Sequence, residues 1–192
     1  MRAFLHPFTA QEAAMTRQTN SPADRHARDA QLRVLSVFSK RPEVAQSVNR
    51  GTAEVTDGLG CVYAQDGHRL AIDMPAAVGG SETGPTPGFF GRAAICGCVA
   101  IGIKMTALRE GLQLDAVRVD ITQRWDDRGL FGMAGANAGP LDTGLAIEIV
   151  SAEPAELIEA MVARALACDP WFLAFREAQV VRSKVTVAEA AL

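Results

Sequence analysis

The stretch between Thr86 and Gly111 constrains the fold more than any other part of the chain. Thr86 can cap a helix, Pro87 suits the first helical position, and Gly111 stands just past the last turn. These signals predict one helix of about 24 residues, roughly 36 Å long at a rise of 1.5 Å per residue. Its first two-thirds is apolar almost all round, which is typical of a helix buried centrally or at a subunit interface. We therefore expect a central helix that is packed on several sides.

Three glycines lie in the interior of this predicted helix, beyond its first turn, at positions 91, 97 and 102. Each costs about 1 kcal/mol relative to alanine in a helix interior. A chain tolerates that cost where another backbone must approach closely. The glycines therefore predict close packing against the helix.

Short strands are predicted on both sides of the central helix. Before it, residues 52–56, 61–65 and 69–73 have strand composition, and the Asp-Gly pairs at 57–58 and 66–67 are hairpin turn signals. Residues 76–84 are a loop by composition. After the helix, residues 115–125 and 144–150 alternate, with Val117, Val119 and Ile121 on the inner face of one and Leu145, Ile147 and Ile149 on the inner face of the other. Residues 126–143 are then a long, mobile hairpin loop.

A second principal helix is predicted from Pro154 to about Cys168, with Leu157, Met161, Ala165 and Cys168 along one stripe. A short helix to about residue 177 and a last strand at 179–187 follow. The order βββ–α–ββ–α–α–β predicts an α+β fold with antiparallel sheets packed around two principal helices. We assign residues 49–192 to one domain. Residues 1–48 are an N-terminal extension, helical or partly disordered, with helical stretches at 11–17 and 29–40.

Composition and charge limit the partners and the cellular location that we expect for the protein. The chain is 48% hydrophobic and 21% charged with a formal net charge of −3, which favours neither nucleic acid nor an anionic membrane as a partner. The first fifty residues hold eight Lys or Arg against four Asp or Glu, and we interpret them as a solvated extension rather than a nucleic-acid-binding arm. The start has no signal-peptide pattern, and the longest apolar run, 93–103, is short for a membrane span. We expect a cytoplasmic protein.

The four cysteines are Cys61, Cys96, Cys98 and Cys168. In a reducing cytosol each is an inert core residue, a metal ligand or a redox group. Two residues on a helix span about 200°, so Cys96 and Cys98 point to opposite faces and are a poor pair for one metal ion. We expect no metal site. A thiolate that attacks a peroxide becomes a sulfenic acid, which a second thiol can condense with. Spacing leaves inert packing open as the alternative for each cysteine.

Residues 85–105 resemble the signature of the OsmC/Ohr family, with a Thr-Pro start, a small-residue helix containing Ala93-Ala94, and a cysteine eleven residues after Pro87. Residues 163–170 resemble the family's second helix, and the likeness spans about residues 50–187. The resemblance implies that Cys98 is the peroxidatic cysteine and Cys168 the resolving one. It also implies an intertwined homodimer that reduces organic hydroperoxides with an external thiol and no bound cofactor.

Two departures from the family pattern leave a second function open. Peroxidase members carry a glutamate directly after the proline of the helix start, where this chain has Gly88, and an arginine in the loop after the first strand, where residues 57–60 have none. Arg50, Arg69 and Glu82 lie in neighbouring segments and are candidate substitutes. Arg92 is about 120° from Cys98 around the helix and does not qualify. The alternative is a divergent member that binds a small apolar ligand or senses oxidants without efficient peroxidase activity.

Overall fold

A computed structural model describes residues 21–188, which form four α-helices and five strands. The helices are α1 (Pro22–Lys40), α2 (Pro87–Glu110), α3 (Ala155–Ala167) and α4 (Pro170–Arg176). The strands are β1 (Thr52–Val55), β2 (Cys61–Gln65), β3 (His68–Ile72), β4 (Ala116–Arg124) and β5 (Asp142–Val150). This mixture of helices and antiparallel strands confirms the predicted α+β class. The predicted helix at residues 11–17 lies outside the described residues.

The strands form two separate antiparallel sheets. One has the order β1-β2-β3 and the other pairs β4 with β5. Asp66 and Gly67 join β2 to β3 with positive φ angles of 49° and 79°, the backbone conformation that a tight hairpin requires and that Asp-Gly sequences favour. Every predicted strand up to Val150 is therefore present, with ends that differ by one or two residues.

The central helix α2 begins and ends where the capping residues predict. The Thr86 hydroxyl accepts the backbone N–H of Phe89 at 3.4 Å, and Gly111 adopts a left-handed φ of 78° that ends the helix. Its buried apolar residues Ile95, Val99, Ile103 and Ala107 recur every four residues and form one side of the core.

The core lies between α2, α3 and the two-stranded sheet. Its buried members are Ile95, Val99, Ile103, Ala107, Leu114, Ile158, Met161 and Ala165. The alternating residues predicted to face inward from β4 and β5 pack against this cluster. The predicted inner face of each strand is therefore confirmed. The α2–α3 pair and the β4–β5 hairpin thus make one layered unit.

The stripe predicted on α3 is confirmed at Met161 and Ala165 and is wrong at Leu157. Ile158 is 9% exposed and belongs to the core, whereas Leu157 is 40% exposed. Both residues lie within about 60° of Met161 around a helix, so periodicity does not separate them. Contact with α2 and the sheet selects Ile158. Cys168, at the end of the predicted stripe, is also exposed.

The strand predicted at residues 179–187 is absent from the structure. These residues have no regular structure, and Val180, Val181, Val185 and Val187 are all highly exposed. A strand requires a neighbour to satisfy its backbone hydrogen bonds, and within residues 21–188 this segment pairs with neither sheet.

The N-terminal extension contributes an ordered helix that lies on α2. The helix α1 starts at Pro22, earlier than predicted, because the Ser21 hydroxyl accepts the N–H of Asp24 at 3.0 Å and caps it. Lys104 of α2 forms an ion pair with Asp24 at 3.2 Å. The structure therefore joins the extension to the central helix by polar contacts.

Much of the apolar surface of α2 is not buried within this chain. By length and composition it could cross a bilayer, and 17% of its most apolar window is buried. Ile101, at 62% exposure, and Met105 leave an apolar strip on its surface.

Candidate active site

The structure brings Cys98 and Cys168 to one cavity of about 330 Å³. The cavity lies between α2 and the junction of α3 with α4. Its other lining residues are Ile101, Gly102, Met105, Thr106, Arg109, Ala165, Asp169 and Pro170. The two cysteines singled out by sequence, 70 residues apart along the chain, thus share one site.

Helix α2 supplies one wall of this cavity. Cys98, Gly102, Met105 and Arg109 follow each other at intervals of four, three and four residues, which places them along one face of the helix. Cys98 is half-buried in this wall. A molecule in the cavity would meet the thiol at one end of an apolar strip and the guanidinium of Arg109 at the other.

The opposite wall is the tight junction between α3 and α4. Cys168 ends α3, and the next residue, Asp169, caps α4 by accepting the backbone N–H of Phe172 at 2.7 Å. Asp169 is 4% exposed. Sequence reasoning used Asp169-Pro170 only as a helix breaker. The signal for a larger role is that a capping carboxylate directly follows a candidate redox cysteine.

The surroundings of Cys98 raise the pKa of its thiol. Burial raises its pKa above the ordinary value, and the backbone N–H of Trp171, which donates to the sulfur, partly offsets this. The Asp169 carboxylate raises the pKa further, both as the hydrogen-bond acceptor of the thiol and through its negative charge. A thiolate at Cys98 is therefore disfavoured within this chain.

Cys168 is exposed and its sulfur bonds back to its own helix. The thiol is 3.3 Å from the carbonyl oxygen of Arg164 and 3.4 Å from that of Ala165. The junction groups that act on the Cys98 thiol are the Trp171 backbone N–H and the Asp169 carboxylate, not Cys168. The two cysteines share the cavity, but the polar contact across it is between a thiol and a carboxylate.

The other two cysteines lie elsewhere. Cys96 does not line the thiol cavity, and burial and the negative charge of Asp120 on β4 raise its pKa. Because α2 is one continuous helix through both residues, Cys96 and Cys98 point to opposite sides of it, as predicted. Cys61 is half-buried in β2. Within residues 21–188, no three His, Cys, Asp or Glu side chains are grouped to hold a metal ion.

None of the three candidate substitutes lines the thiol cavity. Arg50 and Arg69 line a different cavity at the end of the three-stranded sheet. The Glu82 carboxylate accepts the backbone N–H of Ala76 at 3.2 Å and closes its own loop. Among the described residues, the cation in the thiol cavity is Arg109, whose guanidinium donates to Gln31 at 2.7 Å and to Thr106 at 2.9 Å. The position of Arg109 could have been inferred from the sequence, because eleven residues are about three helical turns and place it on the same face of α2 as Cys98.

The family of the chain follows from residues 79–182, which match the model of the family described as OsmC-like protein. The matched region is more than half of the chain and contains the central helix, the β4–β5 hairpin, α3 and α4. The chain belongs to the OsmC family. The match includes both Cys98 and Cys168. No protein with a curated description matches the chain in sequence.

Solved structures of OsmC proteins share the fold at low sequence identity. An OsmC-like protein from Mycoplasma pneumoniae is 14% identical, with a TM-score of 0.58 over 68% of this chain and 89% of that one. An OsmC-like protein of unknown function from Vibrio cholerae is 10% identical, with a TM-score of 0.55 over 67% and 94%. An organic hydroperoxide resistance protein OsmC from Legionella pneumophila is 21% identical, with a TM-score of 0.50 over 68% and 90%. These similarities establish the OsmC fold.

Proposed function

We propose that this OsmC family protein reduces organic hydroperoxides, with Cys98 as the attacking thiol and Cys168 as the resolving one. The observation that carries the proposal is that both thiols line one cavity. The name of the Legionella pneumophila protein, organic hydroperoxide resistance protein, agrees with this reaction class. The remaining wall suits an organic substrate, because Ile101 and Met105 offer apolar surface to an alkyl or aryl group.

The reaction needs two thiols and an external reductant. The Cys98 thiolate attacks the outer oxygen of the hydroperoxide, the O–O bond breaks, and the alkoxide takes a proton and leaves as an alcohol. Cys98 is then a sulfenic acid. The Cys168 thiol attacks that sulfur, water leaves, and a disulfide forms. Two equivalents of an external thiol reduce the disulfide and restore both cysteines.

A second candidate is a family member that binds an apolar ligand or senses oxidants without efficient turnover. The observation that favours it is the raised pKa of Cys98, together with the Asp169 carboxylate at the thiol. The thiolate, rather than the thiol, is the nucleophile, so this environment slows the attack. The missing glutamate at Gly88 and the absence of Arg50, Arg69 and Glu82 from the cavity point the same way.

The experiment that separates the two is brief exposure of the reduced protein to cumene hydroperoxide, followed by intact-mass and peptide analysis. A peroxidase forms a Cys98–Cys168 disulfide rapidly and consumes peroxide with a thiol reductant. Cys98→Ser abolishes both, while Cys61→Ser, a thiol outside the cavity, leaves them unchanged. If oxidation of the wild-type protein is no faster than that of a free cysteine, turnover is excluded and the ligand-binding candidate stands.

We also propose that the protein is a homodimer built around α2. Ile101 and Met105 are exposed on an otherwise apolar helix, and Val55 and Leu70 are exposed on the same face of the three-stranded sheet. Burial of such surfaces by a second copy is favourable by about 25 cal/mol per Å². Light scattering on the eluted protein tests this. A monomer at micromolar concentration would refute it, and Ile101→Asp is expected to dissociate the dimer.

A further inference from the structure

We propose that Asp169 is a positioning residue that holds the proton of the Cys98 thiol and so restrains the nucleophile. The inference deepens the proposed function and rests on the use of Cys98 as the attacking group. Its test, however, measures the thiol directly and does not depend on peroxide turnover.

The Asp169 carboxylate is built into the site by two contacts besides the thiol. Its Oδ1 accepts the backbone N–H of Phe172 at 2.7 Å, which fixes the carboxylate at the start of α4. Its Oδ2 lies against α2, 3.0 Å from the position that a Cβ atom at Gly102 would occupy. Gly102 therefore leaves the space into which the carboxylate fits. Gly91 and Gly97, by contrast, have open space at the same point, and the close neighbour of Gly88 is the flexible side chain of Arg92 in the same helix.

The geometry places the Asp169 carboxylate beside Cys98. Gly102, against which Asp169 Oδ2 lies, is one turn of α2 beyond Cys98, and the side chains of Cys98 and Asp169 line the same cavity. Burial raises the pKa of the Cys98 thiol, a hydrogen bond from the Trp171 backbone N–H lowers it, and the hydrogen bond to Asp169 and its negative charge raise it further. Loss of the thiol proton would leave a thiolate beside a carboxylate in a half-buried cavity. Two neighbouring groups of like charge oppose each other's ionisation, so the carboxylate favours the neutral thiol.

The other charged or titratable groups around the cavity do not cancel this effect. Arg109 lies on the same face of α2, but eleven residues place it about 16 Å along the helix axis from Cys98. Its guanidinium donates to Gln31 and Thr106. Cys168 is exposed and bonds to carbonyl groups of its own helix. Among the residues lining the cavity, Asp169 is thus the charged group that acts on the Cys98 thiol.

The test replaces Asp169 by residues that keep the helix cap and remove the charge. Asparagine and serine both cap helices well, so Asp169→Asn and Asp169→Ser preserve the bond to Phe172 while leaving a neutral neighbour. The readout is the rate of Cys98 alkylation by iodoacetamide as a function of pH, in a Cys96→Ser background, with the modified peptide identified by mass. We expect the midpoint to fall by about one pH unit and the rate at neutral pH to rise about tenfold.

Asp120→Asn is the matched control, because the charge of Asp120 acts on Cys96 and is not among the causes of the pKa shift of Cys98. It should leave the Cys98 profile unchanged. The proposal is overturned if both Asp169 variants keep the wild-type profile, if they react more slowly, or if Asp120→Asn produces the same shift. Circular dichroism checks that the variants are folded, and the serine variant serves if the asparagine variant is not.

The alkylation profile and the peroxide assay test the two proposals independently. A shifted profile in a protein that consumes no hydroperoxide supports the role of Asp169 and refutes the peroxidase. An unshifted profile in an active peroxidase does the reverse. If both hold, the variants should also consume cumene hydroperoxide faster than the wild-type protein at neutral pH.

Discussion

Truncation of two isomeric neighbours on α3 tests how this helix faces the core. Ile158 is 9% exposed and Leu157 is 40% exposed. Each change to alanine removes three methyl or methylene groups, worth about 0.8 kcal/mol each when fully buried. Scaled by burial, the transfer cost is about 2.2 kcal/mol at Ile158 and about 1.4 kcal/mol at Leu157. A cavity between α2 and α3 raises the cost at Ile158 to about 3 kcal/mol, whereas water fills the space left at Leu157.

Urea unfolding followed by circular dichroism measures both costs under one condition. We expect Ile158→Ala to lose about twice as much unfolding free energy as Leu157→Ala, with similar m-values. Protein concentration is held constant, so that any effect of subunit association is shared. Equal losses, or a larger loss at Leu157, would refute the assignment of Ile158 to the core.

Two further outcomes follow from the loop and the cap that precede Cys98. Thr86→Ala should cost about 0.5–1 kcal/mol of unfolding free energy. This is a modest cost, because the hydrogen bond from the Phe89 N–H to the Thr86 hydroxyl is long at 3.4 Å. If urea unfolding shows no loss, Thr86 does not stabilise the helix as a cap. The Asp73 carboxylate accepts hydrogen bonds from Thr83, Met74 and Ser81, and these bonds lower its pKa. The ionised carboxylate therefore stabilises the fold above about pH 4, and this stabilisation is lost as the pH falls further. Asp73→Asn should therefore flatten the acid dependence of the urea midpoint, and an unchanged slope would refute this.

Local signals were enough to predict most of the fold. The central helix is bounded by a hydroxyl cap, an N-terminal proline and a left-handed glycine, all of which act within one turn. The strands of both sheets follow from alternation and Asp-Gly turns, which are also local. The opposite directions of Cys96 and Cys98 require only the helical repeat. Each of these features depends on residues that are close in sequence.

The features that sequence reasoning missed depend on contacts between distant residues. The core side of α3 is selected by α2 and the sheet, and the periodic pattern fits Leu157 and Ile158 almost equally. The last strand was predicted from composition, but a strand forms only where a neighbour is available. Asp169 has an ordinary local role as a cap, and its contact with Cys98 exists because Gly102 admits it to the surface of α2.

The succession of Cys168 and Asp169 at a two-helix junction links redox state to secondary structure. Cys168 ends α3 and Asp169 begins α4, with no residue between them to absorb a rotation. A bond between the Cys168 and Cys98 sulfurs would pull on the residue next to Asp169, whose carboxylate accepts the Phe172 N–H and caps α4. We expect oxidation of this pair to weaken that cap. A disulfide here would thus change the surface outside the cavity, because residues 170–176 and the aromatic side chains they carry would become less ordered.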